Sequence, residues 1–248
     1  MNKRIACMLT IGSLLLAAPA AAIPVGLELV LAVDVSGSIS TSEFNLQRTG
    51  YMNAFDSDAV LDAILGSPTG SIAASLVYWS GATQQQQAVG WTLINDAASA
   101  AAFASAVGAA ARPFGGSTSI SGALNYSVPL FDDNGYEGAR NVIDVSGDGT
   151  SGVAATTAAR DNALAAGITV NGIVIGGAAL ETFYLNNVIG GPDAFALRAE
   201  DFGSFSEAIQ DKLVREIDVP GGEVPEPTTS ALIGSGLLGI LAFVRKRR

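Results

Sequence analysis

Histidine is absent from this sequence. That absence removes Ser-His-Asp and Cys-His nucleophile systems, histidine-ligated zinc and imidazole proton shuttles. The only cysteine is Cys7, in the leader. It stands near the start of the apolar stretch there, not at its end, so a lipid-modified cysteine at a cleavage site is not expected. The body therefore carries no thiol, no disulfide and no thiolate metal site. Charge is sparse as well, at 15% of residues against 49% apolar, which favours a folded core over disorder. A chain of 248 residues has room for one sizeable domain and processing segments.

Both ends read as processing signals. Met1-Asn2-Lys3-Arg4 is a short basic start, Ile5 to Ala18 is mostly apolar, and Ala20-Ala21-Ala22 offers a small-residue cleavage site. These are the three parts of a secretory signal peptide, expected over residues 1–22. At the other end, a linker over residues 220–227 holds Val224-Pro225-Glu226-Pro227. Residues 228–244 follow, 17 positions without a charge, about the lower limit for spanning a bilayer. Arg245-Lys246-Arg247-Arg248 closes the chain and would stay cytoplasmic, leaving the body outside. This tail resembles the Pro-Glu-Pro C-terminal sorting signals of Gram-negative bacteria that make exopolysaccharide. The resemblance implies an exosortase, a membrane peptidase, as processing partner, and transient anchoring by the tail.

Trimming both ends leaves seven basic and 22 acidic residues, a body charge of about −15. No basic stripe remains to neutralise phosphates, which excludes nucleic acid as a natural partner. The field enriches cations instead.

Residues 23–219 alternate between strand and helix patterns. Strands are expected over Leu27 to Val33, Ser71 to Trp79, Ala88 to Ile94, Asn141 to Val145, Ile168 to Ile175 and Ala194 to Arg198. The glutamine run Gln84 to Gln87 leads into the third of these, which should lie antiparallel to its neighbour. Helices are expected from Thr41, over Asp58 to Leu65, from Asp96 to about Ala111, from Ser119 to about Leu130 with Pro129 ending or kinking it, over Ala154 to Ala166, and from Phe205 to Ile217. The predicted fold class is α/β: a doubly wound, mostly parallel sheet with helices on both faces and one antiparallel edge strand.

Asp34-Val35-Ser36-Gly37-Ser38 closes the first apolar run. An extended turn there aims one carboxylate and two hydroxyls at a single point. Ligands bind at this end of strands in open α/β sheets, and hard divalent cations take such oxygens. Thr118 follows the paired glycines Gly115-Gly116, and Asp148 lies just past the strand Asn141 to Val145. Two carboxylates balance a divalent charge. Hydroxyls and water complete the shell, a mixture that Mg²⁺ tolerates. Asp144 is expected within its strand, satisfied by local donors, and Trp79 and Trp91 are expected in the core or on the sheet surface.

Asp34-x-Ser36-x-Ser38, a separate loop threonine and an aspartate before glycine resemble the metal-ion-dependent adhesion site (MIDAS) of von Willebrand factor A domains. Ile143 to Gly149, Val170-Asn171-Gly172, Val188 to Pro192 and Lys212 to Ile217 are similar to an uncharacterised bacterial branch of that superfamily. The resemblance implies Asp34, Ser36, Ser38, Thr118 and Asp148 as metal residues and Mg²⁺ or Mn²⁺ as the ion. It further implies an open coordination position filled by an acidic group of an extracellular protein or polymer. Ser146 stands where many members have threonine. The expected role is an exported, non-enzymatic binding module at the cell surface or in its matrix. The alternatives are a structural exopolysaccharide-matrix protein with a vestigial site and, with less support from the residues, a metal-dependent hydrolase.

Overall fold

The computed structural model describes residues 21–218. The segments expected to be the signal peptide (through Ala20), the linker, the sorting helix and the basic tail lie outside the described residues. Among the described residues no helix is long and apolar enough to cross a membrane.

A six-stranded sheet organises the chain, in the order β4-β3-β2-β6-β7-β8. Its strands are β2 (Leu27–Asp34), β3 (Ile72–Trp79), β4 (Gln85–Ile94), β6 (Asn141–Gly147), β7 (Ile168–Ile175) and β8 (Ala196–Ala199). All neighbours pair parallel except β3 and β4, as the sequence predicts. A separate two-stranded ribbon joins β1 (Ile23–Val25) to β5 (Tyr136–Gly138) in parallel.

Period-two alternation in β2 divides the core. Leu27, Leu29, Leu31 and Val33 pack with α1 (Thr41–Phe55), α2 (Asp58–Gly66), α3 (Ala97–Ala109) and α7 (Phe205–Asp218) through Phe44, Tyr51, Ile64, Phe103 and Ile209. Val30 and Ala32 point the other way, onto α4 (Ile120–Ser127), α5 (Val153–Ala165) and α6 (Ala178–Asn187), through Leu124, Ala163 and Tyr184. A strand buried on both faces must be apolar throughout. β2 meets this except at Glu28 and Asp34, which are both buried.

Several boundaries differ from expectation for physical reasons. Gln85, Gln86 and Gln87 belong to β4 itself: an edge strand with half-exposed side chains accepts polar residues that a central one rejects. The helix after Ser119 stops at Ser127, and Pro129 sits in a short 3₁₀ turn, Val128–Phe131, since proline is tolerated at the start of such a turn but has no N–H to continue a helix. The ribbon of β1 and β5 and the helix α6 had no sequence-based expectation. Trp79 is fully buried, and Trp91 packs against Phe131 while its indole N–H donates to Leu130 O at 2.8 Å.

Candidate functional site

The chain leaves β2 toward β3 on one side of the sheet and later returns as β6 on the other. This is the switch point where open α/β sheets leave a crevice at the strands' carboxyl ends. Val33 pairs with Ser146 across β2 and β6, so Asp34 and Asp148 emerge side by side there.

The first loop is built by local caps. Ser36 N–H donates to Asp34 Oδ1 at 2.7 Å. Ser40 caps α1 and forms a reciprocal capping box with Glu43, which fixes where the loop ends. The second loop is drawn onto the first: Gly37 N–H donates to Gly116 O at 2.7 Å, and a β-carbon on Gly37 would lie 3.0 Å from the same oxygen. Arg112 fastens the two together. Its Nη2 donates to Val35 O at 2.7 Å and Ser36 O at 2.8 Å, and its Nε donates to Phe114 O at 3.2 Å.

Within this frame the five residues singled out from the sequence come together. Thr118 Oγ1 donates to Ser36 Oγ at 3.2 Å, the Ser36 and Ser38 hydroxyls lie 3.2 Å apart, and Ser38 Oγ donates to Asp148 Oδ1 at 2.7 Å. Of the three adjacent hydroxyl residues, Thr118 is the one turned onto Ser36. Ser119 instead caps α4, accepting from Gly122 N–H at 3.2 Å, and Ser117 gives its carbonyl to Ser80 Oγ. Asp34 and Ser36 are buried, Asp148 and Thr118 half-buried and Ser38 exposed, so the cluster opens to solvent on one side.

The electrostatics match a cation-seeking site. Burial drives the Asp34 carboxyl up to about 7, and Asp148 adds to this, while hydrogen bonds from Ser36 and the Arg112 charge act the other way. Asp34 Oδ2 is buried without a hydrogen-bond partner. A buried carboxylate with an orphaned oxygen, on the same turn as Ser36 and Ser38, is chemically suited to a divalent ion. The cluster is rich in hydroxyls rather than acids. Among the described residues no group of three or more His, Cys, Asp or Glu gathers.

A second polar cluster was missed by sequence reasoning. Lys212, the only lysine of the body, is fully buried on α7, with Nζ 2.8 Å from Asp144 Oδ1 and 2.6 Å from Glu216 Oε2. Asn171 Nδ2 donates to Glu216 Oε1 at 2.8 Å, and Phe195 N–H donates to Asn171 Oδ1 at 2.9 Å. Arg140 donates to the Glu216 carbonyl. The expectation that local donors satisfy Asp144 is corrected: its partner comes from the last helix. Burial raises the Asp144 carboxyl, partly offset by Lys212. Burial also pulls Lys212 down, but Asp144 and Glu216 outweigh it and leave the ammonium raised. A lysine four residues before a glutamate looks like a solvated helix pair. The only sequence signal against that reading was the lack of any other lysine in the body.

Solved structures with the same fold include proximal thread matrix protein 1 from the mussel byssus (16% identity, TM-score 0.57, covering 82% of this chain and 50% of that one). Another is the pilus adhesin SpaC from Lactobacillus rhamnosus GG (16% identity, TM-score 0.56, 79% and 31% covered). A third is a von Willebrand factor type A structure from Catenulispora acidiphila (14% identity, TM-score 0.55, 78% and 43% covered). The chain thus spans half the length of the mussel protein and less of the other two. Likeness at these identities is a likeness of fold, and the fold is von Willebrand factor A-like. No curated protein matches the sequence. Residues 223–248 match the PEP-CTERM protein-sorting motif, a signal for export and sorting to the cell surface. Residues 24–220 match the model of a protein family of unknown function, DUF1194, and the chain belongs to that family.

Proposed function

We propose that this chain is an exported binding module that holds one divalent cation, Mg²⁺ or Mn²⁺, and captures an acidic group of an extracellular protein or polymer. The observation that carries this reading is the unbroken run of contacts from Thr118 through Ser36 and Ser38 to Asp148. Mg²⁺ binds oxygens octahedrally at 2.0–2.1 Å, which puts neighbouring ligand oxygens about 3 Å apart. The spacings of 2.7 to 3.2 Å agree with that edge length. Ser36, Ser38 and Thr118 would hold the ion with neutral oxygens, and Asp34 and Asp148 would balance its charge. When bound, the cation supplies a Lewis-acidic position that a carboxylate can fill. Ser36 N–H orients Asp34, and Arg112 keeps the first two loops in register. One structure of the mussel protein has a zinc-occupied MIDAS motif, which supports placing a divalent ion in this fold.

The role is binding rather than catalysis, because the site offers no histidine and no thiol as a base or nucleophile beside the ion. The negative body opposes an acidic partner at long range. Screening confines that opposition to about 8 Å at physiological ionic strength, so direct coordination prevails. In this reading residues 1–22 are removed on export and residues 23–219 form the von Willebrand factor A-like domain. Residues 220–227 link it to a membrane-spanning sorting helix, 228–244, with a basic cytoplasmic end, 245–248. An exosortase removes the tail at the surface of a Gram-negative cell.

The test is calorimetric titration with Mg²⁺ of the wild-type protein and of Asp34→Ala. Saturable binding by the wild type, lost in the variant, is expected. Equal behaviour of the two removes the metal. The mussel relative's name as a matrix protein favours a second reading, a structural matrix protein with a vestigial site, and equal behaviour would select it.

A further inference from the structure

Beside Gly147 two buried oxygens lack partners. Asp34 Oδ2 and the Tyr184 hydroxyl both lack a hydrogen bond, and both residues are 0% exposed. A β-carbon placed on Gly147 would lie 2.7 Å from the Tyr184 hydroxyl and 3.0 Å from Asp34 Oδ2, so both atoms border the same small space. Tyr184 comes from α6, on the sheet face opposite α1 and α7. Its ring reaches the site because Gly172 also lacks a β-carbon: one there would sit 3.0 Å from Tyr184 Cδ1. Neither Gly147 nor Gly172 has a positive φ. What glycine provides at these two neighbouring strands is room, and Tyr184 fills it.

A buried hydroxyl without a partner is costly to leave in place, and so is a buried carboxylate oxygen. Here the donor and the acceptor border one small space, within 3.0 Å of the same point, and no hydrogen bond joins them. We propose that Tyr184 is the positioning residue of this site, its hydroxyl donating to Asp34 Oδ2 once a cation is held above. This rests on the metal-holding reading. A carboxylate has about four lone-pair positions. With Ser36 N–H on Oδ1 and Tyr184 on Oδ2, the remaining positions of Asp34 keep a fixed direction toward the ion. Burial first, then Asp34, Asp148 and Asp144, keeps the phenol well above its ordinary range, so it remains a donor. Partners that orient metal-binding groups in this way are commonly worth 10–100-fold in affinity.

The experiment compares the wild type and Tyr184→Phe in the full chain, reading Mn²⁺ affinity, the melting temperature without metal, and the near-ultraviolet tyrosine difference spectrum on metal addition. The expected result is a 10–100-fold weaker affinity in Tyr184→Phe, with the metal-free melting temperature unchanged or higher. A tyrosine difference signal should appear in the wild type and vanish in the variant. Equal affinity in the two proteins overturns the assignment, as does a metal-free melting temperature lowered by several degrees, which marks the hydroxyl as already hydrogen-bonded in the metal-free fold. A wild type that takes up no Mn²⁺ overturns the metal reading and this assignment with it, and the wild-type arm alone reveals that case.

Discussion

Replacing Lys212 by methionine tests the buried charge cluster most directly. The change keeps length and apolar stem but removes an ammonium 2.8 Å from Asp144 and 2.6 Å from Glu216, all three side chains being fully buried. Two carboxyl groups are then left facing each other, with Asn171 as the donor to Glu216. Removing one partner of a buried pair costs about 3–5 kcal/mol, or roughly 6–20 °C in melting temperature for a domain of this size. Urea unfolding followed by tryptophan emission suits the measurement, because Trp79 is fully buried. Unpaired carboxyl groups bind protons more tightly, so the deficit of Lys212→Met should be largest near pH 8 and shrink toward pH 5. The triple variant Lys212→Met, Asp144→Asn, Glu216→Gln should recover most of the loss, because no buried charge remains. A loss below about 1 kcal/mol, or one that does not change with pH, would refute the reasoning, since an exposed pair is worth no more than that.

Three further outcomes are expected. Without metal, stability should fall as pH rises: Asp34 lies at about 7 against an ordinary 3.8, so the folded state holds its proton more tightly than the unfolded chain. That contribution is complete below pH 4 and gone above pH 7, and saturating Mg²⁺ should flatten the decline in a thermal scan. Arg112→Ala removes the donor to Val35 O and Ser36 O and should weaken Mg²⁺ binding about tenfold by calorimetry, with little effect on the far-ultraviolet circular dichroism. Deleting residues 225–248 should release the protein from the cell surface in a fractionation assay, whereas Asp148→Ala should leave its location unchanged.

The site was legible because its oxygens ride on short local motifs. Asp34, Ser36 and Ser38 alternate along one turn, and Thr118 and Asp148 each follow a recognisable loop signal. The sheet was legible because β2, β3, β6 and β7 are apolar runs of strand length ended by turn residues. Elements held by single or distant contacts were not. Tyr184 is the only buried residue of α6, so that helix has no apolar stripe to announce it. The strand β5 has three residues, and its partner Ile23–Val25 lies at the start of the domain. Asp144 meets Lys212 only through the packing of α7, a relation that no local pattern encodes.

Asp144, Asn171, Lys212 and Glu216 fall in three of the four stretches singled out from the sequence, and the fold gathers them into one knot of charge. Such a knot resists piecemeal drift, since each member leaves its neighbours stranded if it departs alone. Changed one at a time, these four positions strand a buried charge, whereas neutral residues introduced at all of them together do not, so the knot tolerates exchange only as a unit.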